Sequence, residues 1–439
     1  MTIMSNLKSS FCAAIVFSLF CLPAIADETI PAEKFPSLNY AVEADAHASP
    51  YDDTLFGDWG GKRSAMIARG HDLQVVYKLD LLNNTSYSRG KIYGLDNLDI
   101  RLHVDFDKVS ASKGTSAFLH VLSNRGDKPA LQNDRLPHGM DSIETPVNGN
   151  TTKLFQAWLQ QTFLDERVSV LAGLYDLNSE FYVTESAAMF THPTFGIGAE
   201  FAGTGKNGPS VFPTSSLALR IKTVPAPGYY VQAITLDGVP GDPDNPQGTH
   251  IQLNAGDGAL NVMEAGMPLG PAEYAHNNKL AFGLWQYTTT FDDILDVDVY
   301  GKPVQRTSHG AYAILDRVLR YQPGTNDASI KGFFRIGQTE GDTTQFDLAL
   351  SAGLVFTGIL PGREQDELGI GYAQERNGAK YRTASGNTVY AEKSFELGYR
   401  YHAMPGFVVQ PFTQYLLDHN NDPAQYRTWW LGVRMEAAL

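Results

Sequence analysis

The chain has 439 residues, 43% of them hydrophobic, a mean hydropathy of −0.22 and a formal net charge of −14. That acidity speaks against a nucleic-acid partner, whose phosphates it would repel. Beyond the first 26 residues no run approaches the roughly 18 apolar residues of a spanning helix, which excludes a helical membrane protein. A transmembrane β-barrel is not excluded, because its strands alternate lipid-facing and water-facing residues and average out in any hydropathy window.

Residues 1–26 read as a cleavable secretory signal: Lys8 gives a positive start, Phe11 to Leu22 an apolar core, and Ala24-Ile25-Ala26 a small-residue cleavage site. Cys12 and Cys21 both fall inside it, and Phe20 before Cys21 is too large for lipoprotein processing. The mature chain then starts at Asp27, one unit more negative once Lys8 is removed, and has no cysteine, so disulfides and thiol chemistry are excluded. Pro31 to Tyr51 is rich in Pro and Ala without periodicity and reads as a periplasmic lead-in. Asp58 is placed to cap a short helix from Trp59 to Arg69, with Gly70 at the left-handed stop, so that residues 27–70 precede a barrel over 71–439.

From there alternation dominates. Leu98, Ile100, Leu102, Val104 and Phe106 interleave with Asp99, Arg101, His103, Asp105 and Asp107. Leu73, Val75, Tyr77, Leu79 and Leu81 do so with Gln74, Lys78 and Asp80, and Phe395, Leu397, Tyr399 and Tyr401 with Glu396, Arg400 and His402. About sixteen strands of roughly 8 to 12 residues can be placed, the length a tilted strand needs to cross a bilayer. They begin near residues 71, 96, 115, 155, 167, 216, 228, 260, 279, 309, 329, 346, 367, 394, 406 and 427.

Connections tend to alternate in length. Asp165-Glu166, Thr223 to Pro227 and Ala403 to Pro405 are tight, whereas Asn124 to Leu154, Asp176 to Ser215 and Asp237 to Ala259 are long and rich in Gly, Pro, Asn and Asp. A barrel with short periplasmic turns and long outer loops has this asymmetry; a soluble sandwich has no reason for it. Glu340 to Gln345 is short for an outer loop and Leu360 to Asp366 long for a turn. Tyr229, Tyr230, Trp285, Tyr287, Tyr372, Tyr415, Trp429 and Trp430 fall near strand ends, where interfacial aromatic girdles sit.

The stretch LFGDWGGKR, Leu55 to Arg63, resembles the opening signature of the carbohydrate-selective porin family, the OprB type. Further similar stretches follow in order: SNRGD at Ser123–Asp127, GLYDLNSEFY at Gly173–Tyr182, FGIG at Phe195–Gly198, GPSVFP at Gly208–Pro213 and LDGVPGDP at Leu236–Pro243. The resemblance implies a sixteen-stranded barrel with loops folded inward, over 124–154 and 176–215, and passive uptake of glucose-like sugars. It also implies a partnership with outer-membrane lipid, lipopolysaccharide and the barrel-assembly machinery, and leaves a homo-oligomer open. Such barrels usually end in an aromatic residue; here the last strand is expected to leave an Ala437-Ala438-Leu439 tail.

An uncharged sugar is selected by groups that replace its water and by aromatic faces that meet its C–H side. The inward polar residues are the candidates: Asp99, Arg101, His103, Asp105, Gln156, Trp158, Gln160, Arg220, Lys222, Arg335, Glu396, Arg400 and Arg434, with Asn178 and Glu180 from the long loop. If Phe155, Ala157 and Leu159 face lipid, Trp158 points into the lumen; a one-residue slip makes it a girdle residue. Asp292, Asp293, Asp296 and Asp298, and Asp242 with Asp244, form acidic clusters that read as solvated loop, with a divalent cation as the alternative. No GxSxG, HExxH, phosphate loop or completed GxGxxG occurs, and His103, His120 and His402 are scattered. The sequence therefore reads as a porin with no cofactor or metal, ahead of a nonspecific diffusion pore and an outer-membrane barrel hydrolase.

Overall fold

The computed structural model describes residues 54–85, 91–129, 142–145, 149–270, 278–321, 328–418 and 427–439. The signal segment, its cysteines and the lead-in up to residue 53 lie outside the described residues.

Sixteen antiparallel strands close into one barrel, each bonded to its neighbours in sequence and β1 to β16. They are β1 His71–Asn84, β2 Ile92–Asp105, β3 Thr115–Gly126, β4 Thr151–Phe163, β5 Val168–Tyr175 and β6 Ser216–Ala226. Next come β7 Tyr229–Asp237, β8 Ala259–Pro268, β9 Lys279–Val297, β10 Pro303–Tyr321 and β11 Ala328–Thr339. The last are β12 Phe346–Thr357, β13 Glu367–Asn377, β14 Ala391–Met404, β15 Phe407–Leu417 and β16 Arg427–Ala438. Closure leaves no strand edge, which is what lets backbone amides survive in hydrocarbon. No described helix is long and apolar enough to cross a membrane.

Burial is inverted relative to a soluble protein. Ile100, Leu119, Leu159, Leu219, Phe282, Leu284, Ile370, Phe395 and Leu431 are exposed on the outside, while Asp80, Asp99, Arg220, Glu264, Asp316, Arg335, Glu396 and Arg434 are buried within. Apolar-out, polar-in alternation suits a strand with lipid on one side and a lumen on the other.

Several expectations need correction. The helix spans only Lys62–Ala68, because Trp59, Gly60 and Gly61 take positive φ and form a turn; Asp58 reaches past it to accept from the Ser64 amide at 2.7 Å and its hydroxyl at 2.7 Å. β9 and β10 run for 19 residues each, beyond the 8 to 12 anticipated, so Asp292, Asp293 and Asp296 lie on an extended hairpin and not on a loop. There Arg306 and Lys380 ion-pair Asp293 and Asp296. Among the described residues no group of three or more His, Cys, Asp or Glu is arranged to hold a metal. Ala437 and Ala438 are not a tail: they pair with Tyr77 and Val76 across the closing seam. Arg63, buried beside that seam, donates to the Leu439 carbonyl at 2.6 Å.

Among the anticipated girdle aromatics, Tyr229 and Trp429 are exposed, and Tyr372 and Tyr415 pack at a tilt against Phe395 and Trp429. Trp285, Tyr287 and Trp430 instead point inward and are buried. Tyr230 turns in as well, its hydroxyl donating to Glu264 at 2.7 Å. Trp285 and Tyr287 pack there because the wall from β5 to β10 has a second apolar layer: Leu177, Phe181, Tyr182 and Phe201 of the 176–215 segment cluster with Ile234, Leu260, Val262, Trp285, Tyr287 and Tyr312, while Trp430 packs at the seam with Leu82, Tyr93, Leu95 and Ile143. Gly337 permits this approach, since a Cβ there would overlap the Glu200 carboxylate and the Tyr182 hydroxyl.

Candidate functional site

The 176–215 segment crosses the inner wall under a series of polar latches. Glu264 of β8 accepts from the Tyr182 amide at 2.8 Å, and Asp316 of β10 from the Ser186 amide at 3.0 Å and its hydroxyl. Glu396 of β14 accepts from the Thr191 and His192 amides at 2.7 and 2.9 Å. Arg335 of β11 donates to the carbonyls of Thr194, Phe195 and Gly196, and Gln410 of β15 to that of Met189. Strand side chains thus supply partners that a buried loop backbone lacks by itself. Residues 142–145, within the other long loop, join from the far side through the Ser142 amide on the Thr191 carbonyl at 2.6 Å; residues 130–141 of that loop lie outside the described residues.

The wall from β1 to β4 has a different character. Three inward rows cross it, set by register: Arg101–His120–Gln156, then His103–Phe118–Trp158, then Asp105–Ser116–Gln160. Phe118 and Trp158 stack with centroids 5.2 Å apart and planes at 26°, and both remain half-buried. Trp158 Nε1 donates to Gln156 Oε1 at 3.3 Å, so the indole is lumenal. Phe155, expected to face lipid, is buried inside: it is the extra residue of a β-bulge between the His120–Gln156 and Val121–Leu154 pairs. The bulge shifts the alternation by one residue, so Phe155 and Gln156 both point inward.

The loop brings charge to this wall at its start. Glu180 accepts from Tyr175 Oη at 2.5 Å, Arg220 Nε at 3.0 Å and Lys222 Nζ at 3.1 Å. Burial pushes its carboxyl up, but Lys222, Arg220 and the tyrosine outweigh it and hold the group down at about 2. Asp176 is the reverse: burial pushes it up to about 7, although the Asn178 amide and the Arg101 guanidinium favour its charge. Burial also lifts Glu200 to about 7, against Tyr182 and Arg335.

The candidates therefore divide. Arg101, His103, Gln156, Trp158, Gln160, Asn178, Glu180, Arg220 and Lys222 gather where the loop meets β2, β4 and β6, with Asp99 just above, bonded to His120 Nε2 at 2.8 Å. Arg335 and Glu396 latch the loop. Arg434 forms a two-pronged pair with Asp80, Nε–Oδ1 2.9 Å and Nη2–Oδ2 2.7 Å, across the β1–β16 seam. Arg400 pairs with Glu436 at 3.1 Å, and Asp105 caps the turn helix Phe106–Ser110. Sequence reasoning missed Glu264 and Asp316 as latches. Glu264 shares its inward face with Leu260 and Val262, so the strand gives no polar-in signal.

A closed barrel, apolar outside and polar within, with a long loop latched to its inner wall, defines a channel of the outer-membrane porin class rather than an enzyme. The chain belongs to the carbohydrate-selective porin, OprB family, whose profile matches residues 90–437, and it is an outer-membrane pore through which carbohydrates diffuse. Porin B of Pseudomonas aeruginosa is 26% identical over 392 residues, 84% of this chain and 81% of that protein. The high-pH structure of Pseudomonas putida OprB superposes with a TM-score of 0.73 at 20% identity, covering 90% of this chain and 100% of that one. Its low-pH structure gives 0.55 at 17% identity over 88% and 98% of the two chains.

Proposed function

We propose that the pore passes small neutral sugars of the glucose type down their gradient, and that discrimination occurs where the 176–215 loop faces the β2–β4 wall. The observation that carries this reading is the stacked, half-buried Phe118–Trp158 pair bordered by Arg101, His103, Gln156 and Gln160. An aromatic face in a wet lumen suits the C–H side of a pyranose ring, while the flanking donors and acceptors replace the water its hydroxyls shed. Asn178, Glu180 and Lys222 supply the adjoining rim, which Arg220 ties to Gln160 by bonding both Gln160 and Glu180. Glu180 cancels one of the two cations it pairs with, Arg220 and Lys222, so the rim offers hydrogen bonds with a single residual positive charge and does not favour cations.

Export depends on the signal peptide ending at Ala26, and lipopolysaccharide meets the long outer loops. Single-channel conductance in a planar bilayer tests the sugar assignment. Glucose is expected to block in a dose-dependent way and an amino acid at equal concentration not to. Absence of block by any sugar in a liposome-swelling and conductance panel overturns it.

A further inference from the structure

The outside of β13 to β16 carries three successive rows of outward side chains set by register. Ile370, Leu397, Thr413 and Leu431 form the first, Tyr372, Phe395, Tyr415 and Trp429 the second, and Gln374, Lys393, Leu417 and Arg427 the third, nearest the outer loops. Ile370, Leu397, Leu431, Phe395 and Trp429 are exposed, and the aromatic row packs as two pairs, Tyr372–Phe395 at 4.9 Å and Tyr415–Trp429 at 4.4 Å between centroids. Apolar, then aromatic, then charged is the order in which a barrel wall leaves hydrocarbon for lipid headgroups. Arg376 is the next outward residue above Gln374, and Arg382 joins it from the short helix Ala379–Ser385, its guanidinium 5.3 Å over the exposed Tyr390 ring. Asp347 pairs with Arg376 at 2.6 Å and Asp418 with Lys393 at 3.2 Å. Among the described residues no carboxylate lies within ion-pairing distance of Arg382 or Arg427, so these four cations meet two carboxylates in a chain of net charge −14. The corresponding rim of β7 to β9 is different: its outward Thr235, Asn261, Gln286 and Thr288 carry no charge.

We propose that this face binds one acylated diglucosamine bearing two phosphates, the lipid A portion of lipopolysaccharide, from the outer leaflet. Arg427 receives one phosphate, and Lys393, Arg376 and Arg382 receive the other. Three strand spacings, about 14 Å, separate β16 from β13, a span suited to phosphates at opposite ends of a disaccharide. A guanidinium has five N–H donors in a planar fork, so Arg376 keeps donors for a phosphate while it holds Asp347. The aromatic row lies where the sugar rings would rest, and the acyl chains run down over Ile370, Leu397 and Leu431. The placement in the outer leaflet rests on the outer-membrane pore reading above; it does not depend on which sugar the lumen passes.

Native mass spectrometry of the full-length mature protein in detergent tests this, with diphosphoryl lipid A, monophosphoryl lipid A and phosphatidylglycerol as probes against wild type, R427Q, R376Q/K393Q and R317Q. Arg317 is the control, an exposed outward cation of β10 toward the opposite end of the wall. Diphosphoryl lipid A is expected to bind wild type at least about tenfold more tightly than phosphatidylglycerol, with the monophosphoryl form between them, and each lost cation should weaken it about fivefold. R317Q should bind as wild type does. A lipid A preference that survives both R427Q and R376Q/K393Q, phosphatidylglycerol bound as tightly as lipid A, or an equal loss in R317Q overturns the proposal. Protein dimers that disperse in R427Q assign the face to a second copy, and release of lipid A by an equal concentration of inorganic phosphate reduces it to a bare anion patch; either result overturns it too. Should R376Q/K393Q fail to give a heat-modifiable barrel, R427Q decides alone, because Arg427 is exposed and holds no ion pair among the described residues. Glucose block in planar bilayers with the same preparations reports on the sugar-pore reading separately: block without any lipid A preference rejects the lipid site alone.

Discussion

Glu396 holds the middle of the constricting loop, and its removal gives the sharpest test of how that loop is fixed. In E396A the amides of Thr191 and His192 lose acceptors at 2.7 and 2.9 Å in a region where both residues are buried. Of the other two donors, Gln414 Nε2 keeps its bond to Thr191 Oγ1 at 2.9 Å, while the Thr191 hydroxyl proton loses its acceptor and must rotate to find another. Each orphaned buried amide costs about 1–3 kcal/mol, so the loop loses roughly 2–6 kcal/mol of local stability, with water admitted under a lifted loop favouring the lower half. At about 1.4 kcal/mol per decade, 4 kcal/mol shifts the detachment equilibrium about a thousandfold. Asp316, Arg335 and Glu264 still fasten the flanks, so the lifted part is confined to the stretch around Thr191. Planar-bilayer records of E396A should show frequent substates of larger conductance with weaker sugar block. The barrel itself should keep its heat-modifiable mobility, because no strand pairing is touched. A conductance histogram and sugar block indistinguishable from wild type would refute the latch reasoning.

Replacing Trp158 with alanine removes one half of the aromatic pair and should weaken glucose block by about 1–2 kcal/mol, roughly 5- to 30-fold, while open-channel conductance holds or rises slightly. Unchanged block constants would remove Trp158 from the sugar path. Across the seam, D80N leaves the buried Arg434 guanidinium without its two-pronged partner and should cost about 3–5 kcal/mol, read as a lower temperature for the gel-mobility shift from folded to unfolded barrel; no shift would mean water fully replaces the pair. For pH, Asp176 and Glu200 bind protons more tightly in the folded protein, each near 7. Their contribution to loop stability is full below the ordinary carboxyl range and is lost as pH rises through about 7, whereas that of Glu180, held at about 2, persists until strong acid. Reversal potentials should therefore move toward cation preference with a midpoint near pH 7, and D176N should diminish that step; a midpoint near 4.5 would contradict the burial argument.

Much of the outer face of this barrel was legible in the alternation of its strands. Leu73 through Leu81 and Leu98 through Val104 alternate because lipid on one side and water on the other leave a strand no alternative, whereas Phe106, which continues the same pattern in sequence, already opens the turn helix. The placement of Arg101, His103, Arg220 and Lys222 on the inner wall follows from the same parity. What tertiary structure alone decided is how the inner wall is shared. Trp285, Tyr287 and Trp430 resemble girdle residues in sequence, yet they are buried in the lumen because a loop far away in the chain packs upon them. Arg335 and Glu396 look identical in pattern to Arg101, but they face loop carbonyls and amides instead of the passage, and a single bulge at Phe155 reverses the local parity. Alternation records which side of a strand meets lipid, a local property of period two. Which polar groups remain for a passing sugar depends on long-range contacts across the lumen, and no local period encodes those.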